Sequence, residues 1–331
     1  MGGVGVNPHL ERVLDAMADA GFDVLLLGRE SNSRYVTMAD RLSVAGSRAF
    51  APGCVVVRET GAVHMLSITD DGIPPDVPPK NLYPISWNPM NILGGITQIE
   101  GVADARTIGV DGLTPLFDQL IKGMLPDVQI VDGETLLREV RQAKSDEDVD
   151  AIRAAVETVQ AAFSAVTEAL KLGVTEQELK GAFEERMAVR GSRTPSFEGT
   201  FSVADAGKPP RAMPTDRAIK AGDLVHVRVG VLRDGWEGAI ARTLGCEAEV
   251  PEIPSAHATT IALAVDGANV GDLRATGATV EGVGIGHEEM ADGDRLEPGI
   301  VLFIENWSDP VLVGDTVLVG EDSPEVLTTL L

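Results

Sequence analysis

Residues 223–244, DLVHVRVGVLRDGWEGAIARTL, hold two alternating runs separated by one turn signal. In the first run Leu224, His226 and Arg228 fall on one face, and Val225, Val227 and Val229 on the other. Asp234-Gly235 is a strong hairpin signal, because both residue types tolerate the backbone that a tight turn demands. The chain then returns from Trp236 to Thr243. Strands joined in this way set residues of both on one sheet face, the usual platform for a site. An arginine, Arg228, stands in the middle of that face.

Toward the N-terminus, Asn7-Pro8 caps and starts a helix with Leu10, Val13, Leu14 and Met17 on one side and Gly21 at its end. Strand-like runs follow at 22–27, 53–58, 62–67 and 107–110, with a proline-rich loop at 71–89 and a helix from Thr114-Pro115 to Leu125. This alternation predicts a small α/β domain over 1–133. Ser145 caps a long helix whose acidic first turn suits the positive end of the dipole. Val149, Ile152, Val156, Val159, Phe163, Val166 and Leu170 give it an amphipathic stripe. Thr175 and Glu178 are spaced as a capping box for a second helix, with Leu179, Phe183 and Met187 inward. Beyond Gly191 the pattern predicts strands at 200–203, 300–305 and 316–319, and helices at 257–265 and 271–275. Residues 134–331 thus form a second, α+β domain.

The 331 residues carry 27 Lys+Arg against 51 Asp+Glu, a formal net charge of −24. So acidic a chain argues against nucleic acid and anionic membrane as partners. Cys54 and Cys246 match no metal spacing and sit beside apolar runs, which predicts two buried free thiols. The first residues, MGGVGV, show no signal-peptide pattern, and no apolar run approaches a membrane span. A cytoplasmic location is expected.

This succession resembles the creatinase/aminopeptidase P/prolidase (M24) family, whose fold is called pita-bread. HLERVLDAMADAGFDVLLLGRESNSRYVT is similar to the start of the family's smaller domain, and REVRQAKSDEDVDAIRAAVETVQAAFSAV to the helix that opens the catalytic one. LGVTEQELKGAFEERM, IKAGDLVHVRVG, LEPGIVLFIE and DTVLVGEDSPEVLT follow in family order, so the resemblance covers nearly the whole chain. The resemblance implies an α/β N-terminal domain, a pita-bread C-terminal domain and a homodimer.

It also implies five metal-ligand positions, two Asp, one His and two Glu, holding paired ions that activate a water. In this chain they fall on Arg228, Ala239, Val283, Glu305 and Gly314. Only Glu305 is kept. A guanidinium about 4 Å from a divalent ion costs roughly 8 kcal/mol of repulsion at an effective dielectric near 20. No dinuclear centre and no other cofactor is therefore expected. The Pro-His motif by which creatinase works without metal is also missing, since Arg211 stands at that place in PPRAMPTDR. Only about forty residues separate Thr243 from Gly284, fewer than the family normally has there.

Several residues remain as candidates. Arg228 can clamp a ligand carboxylate, or can simply pair with Glu305, which needs a partner in a closed pocket. Arg211 can touch a ligand or be a solvated loop residue. His226, on the face of Arg228, can transfer protons or be a packed strand histidine. His287 resembles a second family histidine but stands four residues after Val283, closer than the family spacing. Glu288 and Glu289 beside it read as solvated acids. Gly282, Gly284 and Gly286 read as sheet backbone needing close approach rather than a dinucleotide fingerprint. Glu237 and Trp236 follow the hairpin turn and Trp307 follows Glu305; they can line a ligand cavity, although core packing is the usual fate of tryptophan.

The leading expectation is a metal-independent enzyme acting on a small amide, amino-acid-like or other carboxylated metabolite. In it Glu305, His226 and His287 are catalytic, while Arg228, Arg211, Trp307 and Glu237 bind substrate. The alternatives are a non-catalytic pseudo-peptidase that binds a ligand or short peptide, and an Xaa-Pro peptidase or prolidase. An open cavity around a free Arg228 favours the first; a closed one with Arg228 locked on Glu305 favours the second.

Overall fold

The turn at Asp234-Gly235 forms, with φ of 51° and 91° at its two residues, and the flanking strands pair from Leu224 with Gly245 to Arg233 with Trp236. The structure is a computed structural model and describes residues 7–39, 53–67, 72–84, 86 and 88–329. Residues 1–6, read above for a leader, lie outside them. The chain divides into two compact units, Met1–Arg141 and Gln142–Leu331.

The first unit contains α1 (Pro8–Ala20), β1 (Val24–Leu27), α2 (Glu30–Thr37), β2 (Cys54–Val57), β3 (Ala62–Leu66), β4 (Leu82–Tyr83), α3 (Pro89–Ile96), β5 (Thr107–Val110), α4 (Pro115–Met124), β6 (Gln129–Asp132) and α5 (Glu134–Gln142). Its sheet runs β4-β3-β2-β1-β5-β6, with β1 antiparallel to β2 and parallel to β5. Asn7 accepts from the His9 amide to cap α1, and Gly21 closes it in the left-handed region. The stretch expected to be loop at 71–89 holds β4, because Leu82 and Tyr83 extend the sheet in parallel beside β3.

The second unit follows with α6 (Asp146–Ala169), α7 (Glu176–Val189), β7 (Thr194–Pro195), β8 (Thr200–Val203), β9 (Leu224–Arg233), β10 (Trp236–Gly245), α8 (Ser255–Ala262), α9 (Val270–Arg274), β11 (Thr279–Gly284), β12 (Gly286–Glu288), β13 (Val301–Ser308), β14 (Val311–Leu318) and β15 (Glu325–Val326). Both capping boxes form, Ser145 with Asp148 and Thr175 with Glu178. One antiparallel sheet runs β12-β11-β13-β14-β10-β9-β7, with β15 beside β14 and β8 beside β9. Val225, Val227, Val229, Val231 and Ile240 pack on α6 and α7 in one buried core. A second core gathers Val280, Leu302, Ile304 and Val317 under α9. The helices thus cover one face of the sheet. The other face carries Arg228.

Cys54 and Cys246 are both buried free thiols. Glu288 is not the solvated acid expected of it. Its carboxylate meets the Lys144 ammonium at 2.5 Å, with the side chains only 6 % and 1 % exposed. Gly284 leaves room for that carboxylate, since a Cβ there would lie 2.2 Å from Glu288 Oε1. Lys144 also donates to Gln142 O, and its backbone amide to Gly299 O, so the pair fastens the start of the unit to β12.

Removing one partner of a buried ion pair strands the other charge. Glu288→Gln is expected to lower unfolding free energy by about 3–5 kcal/mol in urea titrations, and Lys144→Met/Glu288→Leu to recover most of it. A Glu288→Gln loss below about 1 kcal/mol would show that the pair does not hold β12.

Candidate active site

Strand register sets Arg228, Ala241, Gly314 and Glu305 in one row across β9, β10, β14 and β13. A neighbouring row holds Gly230 opposite Ala239, and Thr316 opposite Phe303 opposite Glu281. Alternation then places Arg228, Ala239, Val283, Glu305 and Gly314 all on the face away from the helices. Three strand spacings separate Arg228 from Glu305, about 14 Å of backbone. Two long side chains can bridge that span if the residues between are small. Ala241 and Gly314 are.

They do bridge it. Arg228 Nε lies 2.9 Å from Glu305 Oε2, and Nη2 donates to Glu281 Oε2 at 2.7 Å. The guanidinium also lies 4.2 Å from the Phe197 ring centre and 5.3 Å from that of Phe303. Gly230 makes room for the covering loop, because a Cβ there would lie 2.2 Å from Ser196 Oγ and 2.6 Å from the Phe197 ring. Phe303 in turn fills the place that a side chain at 314 would need, 2.7 Å from that Cβ. The expected pairing of Arg228 with Glu305 is present, with Glu281 as a second partner.

Acceptors outnumber donors here. The Glu305 contact is an ion pair without hydrogen-bond alignment, and Oε2 is buried with no aligned donor. Burial raises the Glu305 pKa, and Arg228 pulls against it. Glu237, on β10, is 4 % exposed. Burial pushes its carboxyl up to about 7; Ser196 and Arg228 oppose this, and Glu281 and Glu288 add to it. The Ser196 hydroxyl, buried beside it, is the donor that favours the ionised form.

The other candidates lie elsewhere. His226 is 1 % exposed, and its Nε2 sits 2.7 Å from Pro310 O. A carbonyl only accepts, so Nε2 holds the proton and the buried Nδ1 is left a lone pair without partner. Burial lowers this pKa, keeping the ring neutral. Arg211 donates to Glu176 Oε1 and Met213 O, both at 2.6 Å. Glu176, fully buried, also accepts from Val203 N and Thr215 N, so the arginine ties down the proline-rich loop. His287 is exposed on the edge strand β12, opposite Val283. Trp307, 37 % exposed, follows Glu305 on the same face of β13.

A pair of divalent ions does not fit this face. Such ions need several converging oxygen donors. The guanidinium lies between Glu281 and Glu305, and no group of three or more His, Cys, Asp or Glu among the described residues could hold an ion. Sequence reading missed Glu281, Ser196, Phe197 and Phe303. Alternation alone could have put Glu281 on the face of Val283, but the register that sets it opposite Phe303 lies in no local pattern.

Residues 150–293 match the sequence family Metallopeptidase family M24. An Xaa-Pro dipeptidase from Pyrococcus horikoshii is 21 % identical over 72 % of this chain, and a creatinase from a Bacillus species is 26 % identical over 71 %. The aligned parts span 64 % and 59 % of those proteins, less than two thirds of either. The crystal structure of a prolidase from Pyrococcus horikoshii superposes with a TM-score of 0.79 at 17 % identity, covering 98 % of this chain and 99 % of that one. The pita-bread architecture is thereby shown.

These likenesses correct the leading expectation of a metal-independent enzyme for a small amide or carboxylated metabolite. The relatives point to the Xaa-Pro dipeptidases instead. The carboxylate clamp assigned to Arg228 also lacks its physical basis, because Glu281 and Glu305 already engage the guanidinium.

The Glu237 carboxyl ionises near 4.5 when unfolded and about 7 when folded. Its contribution to stability is full below pH 4.5 and is lost as pH rises through 7. Wild type should therefore lose on the order of 3 kcal/mol relative to Glu237→Gln between pH 4.5 and 8, read from urea titrations. Parallel pH profiles for the two proteins would place Glu237 in contact with water.

Proposed function

The chain belongs to metallopeptidase family M24, and from that premise we propose that it is a prolidase-type protein whose sheet-face pocket takes short peptides of the Xaa-Pro kind. The observation that supports this reading is the shared face: Arg228, Ala239, Val283, Glu305 and Gly314, the positions that the resemblance assigns to metal ligands, lie on it together. The frame that presents such a peptide is kept, while the donor set that would hydrolyse it through two metal ions is not. Recognition without metal-assisted hydrolysis follows, in a cytoplasmic homodimer. A closed cluster with Arg228 held by Glu281 and Glu305 supports the same side.

A second reading is the Xaa-Pro dipeptidase itself. The names of the relatives favour it.

Calorimetric titration with Ala-Pro, Leu-Pro and Gly-Pro, beside an assay of proline release with and without Mn²⁺ or Co²⁺, separates the two. The expected result is saturable binding that a chelator leaves unchanged, with no proline released. Proline release that rises with added metal would replace recognition by dipeptidase activity. No binding of any Xaa-Pro peptide would end both readings. Sedimentation of the same sample should give twice the 34.8 kDa chain mass for a homodimer.

A further inference from the structure

Glu281 on β11 and Glu305 on β13 are diagonal neighbours, since register pairs Glu281 with Phe303 and Thr279 with Glu305. Long side chains so placed are within reach of each other, and two carboxylates there repel. Yet both turn toward one point. Glu281 Oε2 lies 2.7 Å from Arg228 Nη2, and Glu305 Oε2 lies 2.9 Å from Nε. Glu281, Glu305 and Arg228 are 29 %, 16 % and 21 % exposed, so solvent screens these pairings only in part.

Drawing carboxylates of separate strands onto one centre is what a bound divalent cation commonly does. Here a side chain does it. Arg228 stands at a position that the resemblance gives to a metal-ligating Asp, so a cation has replaced a donor to one. At Ala239, Val283 and Gly314 the chain offers an ion no side-chain oxygen. The rings of Phe197 and Phe303, 4.2 and 5.3 Å from the guanidinium, attract it and give a hard ion no oxygen either.

From this geometry we propose that the Arg228 guanidinium is the pocket's resident cation: it fills the electrostatic role that the resemblance gives to metal ions, and it closes this face to divalent cations. The inference concerns the charge that the face holds before any ligand arrives, so it stands apart from the peptide reading. A divalent ion at the two carboxylates would meet a like charge close by, at oxygens already engaged. Without the guanidinium, Glu281 and Glu305 remain as an uncompensated pair that such an ion can bridge. A glutamate at 228 would add a third carboxylate, and its reach together with a bound ion would replace the length of the arginine. One side chain thus holds a latent cation site shut.

Chelator-stripped wild type and Arg228→Glu are titrated with Mn²⁺ by calorimetry, and their thermal unfolding is followed with and without about 1 mM Mn²⁺. Wild type is expected to show no saturable binding and no shift in Tm. Arg228→Glu should take up Mn²⁺ about tenfold or more tightly than any weak uptake by wild type, and gain a few degrees in Tm. Adding Glu305→Gln to Arg228→Glu should remove that gain. Circular dichroism checks that each variant is folded. Arg228→Met, which adds no acid, gives a second measure: it should unfold at a lower temperature than wild type, and Mn²⁺ should return part of the loss. Saturable Mn²⁺ binding by wild type that Glu305→Gln abolishes overturns the proposal. So does a folded Arg228→Glu that gains no affinity, or an Arg228→Met that unfolds like wild type and ignores Mn²⁺. Ala-Pro titration of the same wild type reports on the peptide reading separately.

Discussion

One guanidinium reaching across two strands organises this site. Arg228 can meet Glu305 only because Ala241 and Gly314, the residues between them in the row, leave the sheet surface bare. A larger residue at either place would lift the arginine off the sheet or push it to one side. The rings of Phe197 and Phe303 lie 4.2 and 5.3 Å from the guanidinium, so the charge meets aromatic faces as well as carboxylates. Arginine suits such a position better than lysine, since its planar group can take a carboxylate on separate nitrogens and still stack on rings. Glu237 lies buried on the same face, with the Ser196 hydroxyl as its donor.

Much of the fold was legible because its signals are local. Asn7-Pro8, Ser145 with Asp148, and Thr175 with Glu178 mark helix starts by side chains that reach their own backbone, and each does so. Asp234-Gly235 marks a turn for a similar reason. The elements that escaped lack such marks. β4 is two residues long and exists only because β3 offers an edge. β14 begins at Val311, five residues before the expected start, since the Gly314-Asp315 interruption hides a run that pairing with β13 and β10 sustains.

The site was legible in part, and the division is physical. Which residues share the face of Arg228 follows from alternation along β9 and β10, and the need of Glu305 for a partner follows from charge. Glu281 did not follow, because its place depends on the register between β11 and β13, which no local pattern sets. Ser196, the donor beside Glu237, is likewise carried in from before β8. Arg211 shows the opposite error: a loop arginine near the pocket in sequence order is held by Glu176, an acid at the start of α7.

The two faces of the sheet answer to different constraints, and this explains how family architecture and altered site chemistry coexist. Val225, Val227, Val229 and Val231 bury against α6 and α7, where a change of volume is felt by the whole core. Arg228 and Glu305 point the other way. Substitution there costs the fold little so long as charge is matched locally. That condition has been met for Arg228 by Glu281 and Glu305, and for Glu288 by Lys144. Glu237 meets it differently: burial pushes its carboxyl up to about 7, so below that pH it is neutral and needs no counter-charge.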